Sequence, residues 1–442
     1  MEFIIDKQTF ADLEICDPKG INISIFKIFD KAITNEGRDA LLDMFYFPLA
    51  DEKRIRERQE LINYIYKTEL PISIDKYLFD FIEVYLQITN IPMKISPLEA
   101  WYKAVKYKLK PTTEYYIINR GIVTVIEFLQ EIYSIASEIT EKNYPNLLKQ
   151  MFSFVAKSIE NSELKKIIGF NTKKRTNVIN REKFDYIFRF SANDRLKSIL
   201  KIIYKIDAFQ AVAKTKDELG LIFPEIIENK EIEITGLYHP FVKNAVANDI
   251  TFMENSNLFL ITGANMSGKS TFLKAFGVAV FLAHIGFPVP AVSMKTGVFN
   301  GLFSTINIAD NLKKGYSHFY AEVLRVKNVA EEIKRTKNVV VIFDELFRGT
   351  NEKDANEASL AIITELAKVK GSVFLVSTHI MELAKELGKL ESIRFGAFHT
   401  VIEGNKFINS YHLLDGICKE RLGMLIIKNE RIIETIKDAT QT

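Results

Sequence analysis

The sequence predicts a multidomain chain: an all-α domain over residues 1–230, then an α/β phosphate-loop domain over residues 231–442 with a mixed, largely parallel sheet. Three observations predict it. Apolar residues recur at helical spacing through the first half, and short apolar runs alternate with helical stretches through the second. Glycine is sparse before residue 220 and frequent after it, which marks the change of texture.

The first half justifies its helices segment by segment. Ile25, Ile28, Phe29, Ala32 and Ile33 recur at helical spacing, as do Ile55, Leu61, Ile62 and Ile65, and then Phe79, Phe81, Ile82, Tyr85 and Leu86. Pro48, Pro71, Pro92 and Pro97 separate these stretches, because proline has no N–H to give an interior turn. Residues 161–193 are rich in Lys, Asn and Ser and read as a turn between long helices, with room for a short β-hairpin. In the second half EIEITG, LFLIT, VVVIF and SVFLVS read as buried strands. The helices between them are expected over residues 272–284, 319–335, 355–369 and 381–387. Ligands of such a fold collect at the carboxyl ends of the strands.

One of those strand ends carries a motif. The run LFLITGANMSGKST, residues 258–271, fits G-x-x-x-x-G-K-[ST], a glycine-bounded loop whose N–H groups wrap phosphates at the start of a helix. Gly263, Ala264, Asn265, Met266, Ser267, Gly268, Lys269, Ser270 and Thr271 are the candidate nucleotide-binding residues. Lys269 is expected to reach the β- and γ-phosphates and Ser270 to join a magnesium shell. The VVVIF strand ends in Asp344, a candidate second magnesium ligand, and Glu345, a candidate general base. The SVFLVS strand ends before His379, placed to donate to a γ-phosphate. Ser317 precedes a helical stretch and is able to cap it and to leave free N–H groups there.

Composition excludes several classes. Among 442 residues, 47% are hydrophobic and 26% charged, ordinary for a globular protein of two or three domains. Cys16 and Cys418 stand alone, so no disulfide framework or cysteine-rich metal site is expected. The start, MEFIIDKQTF, is no signal peptide, and the most apolar segment, residues 276–292, is broken by His284, Pro288 and Pro290. A cytoplasmic protein without membrane attachment is the expectation. Charge is uneven: residues 101–205 hold 20 Lys and Arg against 10 Asp and Glu, the rest 39 against 46. A polyanion is expected to meet the middle segment.

Taken together, these motifs resemble the MutS family of DNA mismatch-repair ATPases, of the ABC type. T-G-A-N-M-S-G-K-S-T is similar to that family's T-G-P-N-M-x-G-K-S-T, with Ala264 for proline. D-E-L-F-R-G-T, residues 344–350, resembles D-E-x-G-R-G-T with Phe347 where glycine is usual, and S-T-H-I-M-E-L resembles [SA]-T-H-x-x-E-L. The run from Gly315 to Glu322 resembles the element whose serine, here Ser317, reaches the γ-phosphate of a second subunit. Thr34 to Leu42 more loosely resembles the opening of the family's core or lever domain.

The resemblance implies ATP and Mg2+ as cofactors, ATP hydrolysis, and a homodimer with composite ATP sites. It implies a clamp on double-stranded or branched DNA in repair or recombination, with the helical domain as core and lever. The family's adenine-stacking ring has Ala245 and Val246 near its place, with Phe241 or Tyr238 as substitutes. On the same resemblance the chain opens at the lever and lacks the mismatch-recognition and connector domains. The alternative is a MutS-like ATPase that acts on structured RNA, ribosomes or a protein partner. An ABC transporter or chromosome-cohesion ATPase calls for an L-S-G-G-Q-like signature, and the chain has none.

Overall fold

Continuous runs such as VVVIF bury both faces of a strand, so they belong in the middle of a sheet with helices on each side. The structure is a computed structural model that describes residues 2–17, 23–89, 113–172, 178–306, 318–403, 406–418 and 432–439. In chain order its elements are β1 (Ile4–Ile5), α1 (Lys7–Asp12), α2 (Ile25–Phe29), α3 (Asn35–Tyr46), α4 (Glu52–Lys67), α5 (Lys76–Leu86), α6 (Thr113–Glu141), α7 (Asn146–Glu160), α8 (Lys165–Ile168), α9 (Val178–Tyr186), a π-helical turn (Ile187–Ser191) and α10 (Asn193–Leu219). Then come β2 (Glu225–Ile227), β3 (Ile232–Leu237), β4 (Asn248–Phe252), β5 (Leu258–Gly263), α11 (Lys269–His284), β6 (Ser293–Gly297), β7 (Gly301–Thr305), α12 (His318–Thr336), β8 (Val339–Asp344), α13 (Glu352–Leu366), β9 (Val373–Thr378), α14 (Met381–Leu387), β10 (Ile393–Glu403), β11 (Lys406–Asp415) and α15 (Ile432–Ala439).

Two units emerge: Met1–Lys27 with Phe45–Arg56 and Leu219–Thr442, and Ile28–Met44 with Glu57–Glu218. This grouping differs from a single boundary at residue 230, because the first 27 residues and a short later segment join the α/β unit. That unit holds a seven-stranded sheet in the order β1-β7-β8-β9-β5-β10-β11, parallel except for the β10–β11 pair. A four-stranded sheet, β2-β6-β3-β4, lies apart from it and is antiparallel except for β2–β6. EIEITG, expected in the parallel sheet, is β3 of this second sheet. Its side chains alternate buried and exposed, the mark of a strand with one wet face.

The N-terminal run is an edge strand rather than a loop. β1 pairs with β7, and the helix after it is tied to the same strand by buried polar contacts. Asp12 accepts from Ser304 Oγ at 2.8 Å and Ile306 N at 2.9 Å, while Ser304 N donates to Thr9 Oγ1 at 2.9 Å. Nothing in the pattern of MEFIIDKQTF distinguishes so short a strand.

In the second unit every regular element among the described residues is helical. The helix expected through Ile33 stops at Phe29, because the backbone of Ile33 and Thr34 turns to donate to Asp207 of α10 at 2.9 and 2.8 Å. Thr34 Oγ1 donates to the same carboxylate at 2.7 Å and accepts Gly37 N at 2.9 Å, capping α3. A Cβ on Gly37 would stand 2.2 Å from Asp207 Oδ2, so the glycine of TNEGR serves this close approach. The described part of residues 161–193 is helical, forming α8, α9 and the π-helical turn, and holds no hairpin; residues 173–177 lie outside the described residues.

No helix among the described residues is long and apolar enough to cross a membrane. The apolar segment after the phosphate loop is α11, buried along most of its length, and it ends at His284. That imidazole is enclosed, with Nδ1 at 2.7 Å from Val280 O and Nε2 accepting Phe299 N at 2.9 Å. Burial pushes it down to about 4 from an ordinary 6.5, so the folded protein refuses a proton that the unfolded chain accepts. Its contribution to stability is present above pH 6.5 and lost as pH falls toward 4, costing about 2 kcal/mol between pH 7 and 5. Urea unfolding at those two pH values is expected to show that loss. In His284→Gln, less stable at pH 7, the further loss at pH 5 should shrink.

Candidate active site

Three strands of the large sheet end side by side, and their ends carry the functional side chains. β5, fully buried, leads into the phosphate loop at Gly263. A Cβ at Gly263 (φ +154°) would meet Phe398 O and Ser267 Oγ, each at 2.9 Å, and Gly268 has φ +106°, so both glycines are required by the backbone. Helix α11 starts at Lys269. Asn265, Met266, Ser270 and Thr271 are exposed along the loop and first turn, whereas Ser267 and Lys269 are buried. Ser267 Oγ has no hydrogen-bond partner among the described residues.

Lys269 folds back over its own loop. Its ammonium donates to Gly263 O at 2.8 Å and Ala264 O at 3.0 Å and lies 3.6 Å from Glu345 Oε1. Burial lowers its pKa, and Glu345 and Asp344 oppose that.

Asp344 closes β8 and is nearly enclosed. One carboxylate oxygen accepts Ser270 Oγ at 2.6 Å and the other accepts Ser377 Oγ at 2.5 Å. A hydroxyl and a carboxylate oxygen set against each other at a phosphate loop are a donor set suited to Mg2+. Among the described residues no group of three or more His, Cys, Asp or Glu is placed for a metal, so any ion here would rely on Ser270, Asp344 and a ligand's own oxygens.

Glu345 turns the chain out of the strand in a left-handed conformation, φ +58°, with its N–H on Ser377 O and Oγ, each at 3.2 Å. Its carboxylate lies among three cationic groups: Arg348 Nε at 3.0 Å, His379 Nδ1 at 3.2 Å and Lys269 at 3.6 Å. Burial would raise this carboxyl, but the bond from His379 and the charges of Arg348 and Lys269 outweigh it and hold it at about 2. His379 is half-exposed, and the bond to Glu345 raises its pKa above the ordinary imidazole value.

Sequence reasoning had singled out Lys269, Ser270, Asp344, Glu345 and His379, and the fold brings all five together. Ser317 lies outside the described residues. The helix that follows it, α12, reaches the cluster through Glu322, whose carboxylate accepts Arg348 N and Gly349 N at 3.2 Å each. Phe347, with φ +63° in the place where glycine was expected, is buried with its ring 5.8 Å from that of Phe319.

Arg348 and Ser377 stand within the same two motifs, and both touch Asp344 and Glu345, contacts that motif spacing does not reveal. Tyr411 was missed altogether. It lines a cavity of about 380 Å3 beside Gly268 and Thr271, together with Tyr238, Val246, Phe272 and Phe398. Phe241, the other aromatic substitute, packs on His239 at 5.4 Å instead. Tyr411 reaches the cavity through the β10–β11 return, fixed where Asn248 Nδ2 donates to Tyr411 O at 3.0 Å and Leu413 N to Asn248 Oδ1 at 2.6 Å. No local signal marks that residue, since only the hairpin's register places it.

Residues 259–442 match the family model described as MutS domain V. The chain is similar to the DNA mismatch repair protein MutS of Persephonella marina, 25% identical over 98% of this chain and 59% of that protein. It is 33% identical to the MutS of a Geobacillus species over 52% of this chain and 27% of that one, and 33% identical to that of Lactococcus lactis subsp. cremoris over 55% and 29%. The chain thus spans less than two thirds of the length of each.

The raised imidazole gives a direct check on the Glu345–His379 pair. In an NMR titration the His379 ring should titrate above the ordinary 6.5, because its charged form is stabilised. In Glu345→Gln the midpoint should fall back toward or below that value; an unchanged midpoint would refute the pairing.

Proposed function

We propose that this chain, a member of the MutS family, binds ATP with Mg2+ at the Lys269–Asp344–Glu345 cluster and hydrolyses it, two copies acting as a clamp on DNA in repair or recombination. The observation that carries the reading is the meeting of a phosphate loop, a hydroxyl–carboxylate pair and a Glu–His pair at three adjacent strand ends.

The loop N–H groups and the start of α11 bind the triphosphate, and Lys269 exchanges its carbonyl contacts for phosphate oxygens. Ser270 and Asp344 are the residues that would hold Mg2+, which when bound offsets negative charge on the phosphates. Ser377 fixes the far oxygen of Asp344 and so orients the near one. Glu345 is ionised at neutral pH and accepts a hydrogen bond from the attacking water, orienting it and taking its proton as the water oxygen bonds to the γ-phosphorus and the β–γ bridging P–O bond breaks, ADP leaving with the electron pair. His379, positioned by Glu345, donates to the γ-phosphate. Tyr411 and Tyr238 flank the cavity beside Gly268, where the adenine ring packs. Ser317 of a second copy completes the site, which makes turnover a property of the homodimer. The helical unit serves as core and lever, the basic residues of 101–205 meet nucleic-acid phosphates, and the protein works in the cytoplasm.

Two experiments test the halves separately. Lys269→Ala should abolish nucleotide binding. Glu345→Gln should still bind ATP but turn it over about 100-fold or more slowly, and with ATP it should sediment as a dimer. Equal turnover by wild type and Glu345→Gln would overturn the assignment.

For the nucleic-acid half, affinity for duplex, branched and mismatched DNA and for structured RNA is measured over a salt series with and without ATP. The expected result is DNA binding that weakens steeply with salt and depends little on sequence. Preference for RNA would move the cargo to the alternative reading, and no binding at low salt would remove nucleic acid altogether.

A further inference from the structure

Away from the strand ends just described, α12 and α13 leave a long apolar groove between them. The groove has a volume of about 880 Å3 and includes Phe343 of β8, one residue before Asp344. On the α12 side Val326, Val329 and Ile333 repeat at helical spacing, and Ile362 and Leu366 face them from α13. Such a stripe between two helices is the shape that receives the apolar face of a third.

Positive charge predominates along this groove, where Glu365 stands among Lys327, Lys334, Lys337 and Lys370. Lys334, Lys337 and Lys370 line it, all exposed, and none of the three meets a carboxylate among the described residues. The nearby acids are already engaged: Glu331 lies 3.8 Å from Lys327, Glu332 2.6 Å from Arg335, and Glu365 2.6 Å from Lys368. Three unpaired ammonium groups over an apolar floor favour a guest that is apolar on one face and anionic along its edges.

We infer that the α12–α13 groove is a docking site for an acidic amphipathic helix of a partner protein. The guest lays leucine-like side chains at i, i+3 or i+4 and i+7 into the groove and sets glutamates or aspartates against Lys334, Lys337 and Lys370. The interaction needs no nucleotide, so it stands or falls independently of the ATPase reading.

The probe is a fluorescein-labelled helical peptide of 16 residues with leucines on one face and glutamates flanking them, and a counterpart with lysines in place of the glutamates. Fluorescence anisotropy with the full chain, without nucleotide, is expected to show micromolar binding of the acidic peptide and binding of the basic one about tenfold weaker or worse. Lys334→Glu, Lys337→Glu and Lys370→Glu together should reverse that order. Ala361→Trp, which fills the groove from an exposed position, should weaken the acidic peptide about tenfold, with the thermal unfolding curve of each variant checked against wild type. Equal binding of both peptides, or a preference unchanged by the triple substitution, would overturn the proposal. So would binding of anionic detergent but of neither peptide, or self-association of the chain that the triple substitution abolishes.

Discussion

A carboxylate enclosed as deeply as Glu345 keeps its charge only in company, and much of the α/β unit serves to supply that company. Taking an ion out of water costs several kcal/mol unless opposite charge and hydrogen bonds meet it. Here a lysine from one strand end, a histidine from a second and an arginine three residues downstream all converge on the same group. None of the three could be moved far without leaving a charge unmatched. The parallel order of β8, β9 and β5 is what sets those ends within reach of one another. Even the backbone bends to the arrangement, since Glu345 and Phe347 both adopt left-handed conformations that side chains resist.

The same constraint recurs away from the site with a different result. Asp207 and Asp12 are buried too, and each accepts from a hydroxyl and from backbone N–H groups, Asp12 from the Gln8 amide as well. Such carboxylates fasten one piece of chain to another: residues 33–37 to α10, and α1 to the end of β7. Unpaired N–H groups at a helix start or a strand end are natural donors for them. Burying a negative charge therefore does two jobs in this molecule, and the identity of the donors separates the jobs.

Which features were legible in the sequence follows from the range of the forces that made them. Asp344, Glu345 and His379 were readable because each follows a buried apolar run, and Lys269 and Ser270 because a glycine-bounded loop of fixed spacing follows another. The helix α14 was read residue for residue for the same reason. Contacts between distant segments left no local trace. β1 is too short for its alternation to mean anything, β6 and β7 lack a long apolar run, and Tyr411 owes its place to the register shift of the β10–β11 pair, between the Phe398–Leu413 and Thr400–Asn409 partners. Phe347 was visible as a departure from a familiar motif, but that its ring would bury against α12 depended on three dimensions. A composition shift marks one boundary near residue 230, whereas the grouping of residues 1–27 and 45–56 with the α/β unit rests on contacts between distant segments that composition does not carry.

The pairing of β1 with β7 also imposes a schedule. Ile4 lies opposite Gly301, so the edge of the large sheet closes only after nearly three hundred further residues have been made. At roughly 5–20 residues per second the first strand waits on the order of 15–60 seconds for its partner. Within that interval all residues of the helical unit, 28–44 and 57–218, are made before the strand that β1 pairs with. The β1–β7 pair therefore joins two segments made far apart in time, with the whole helical unit synthesised between them.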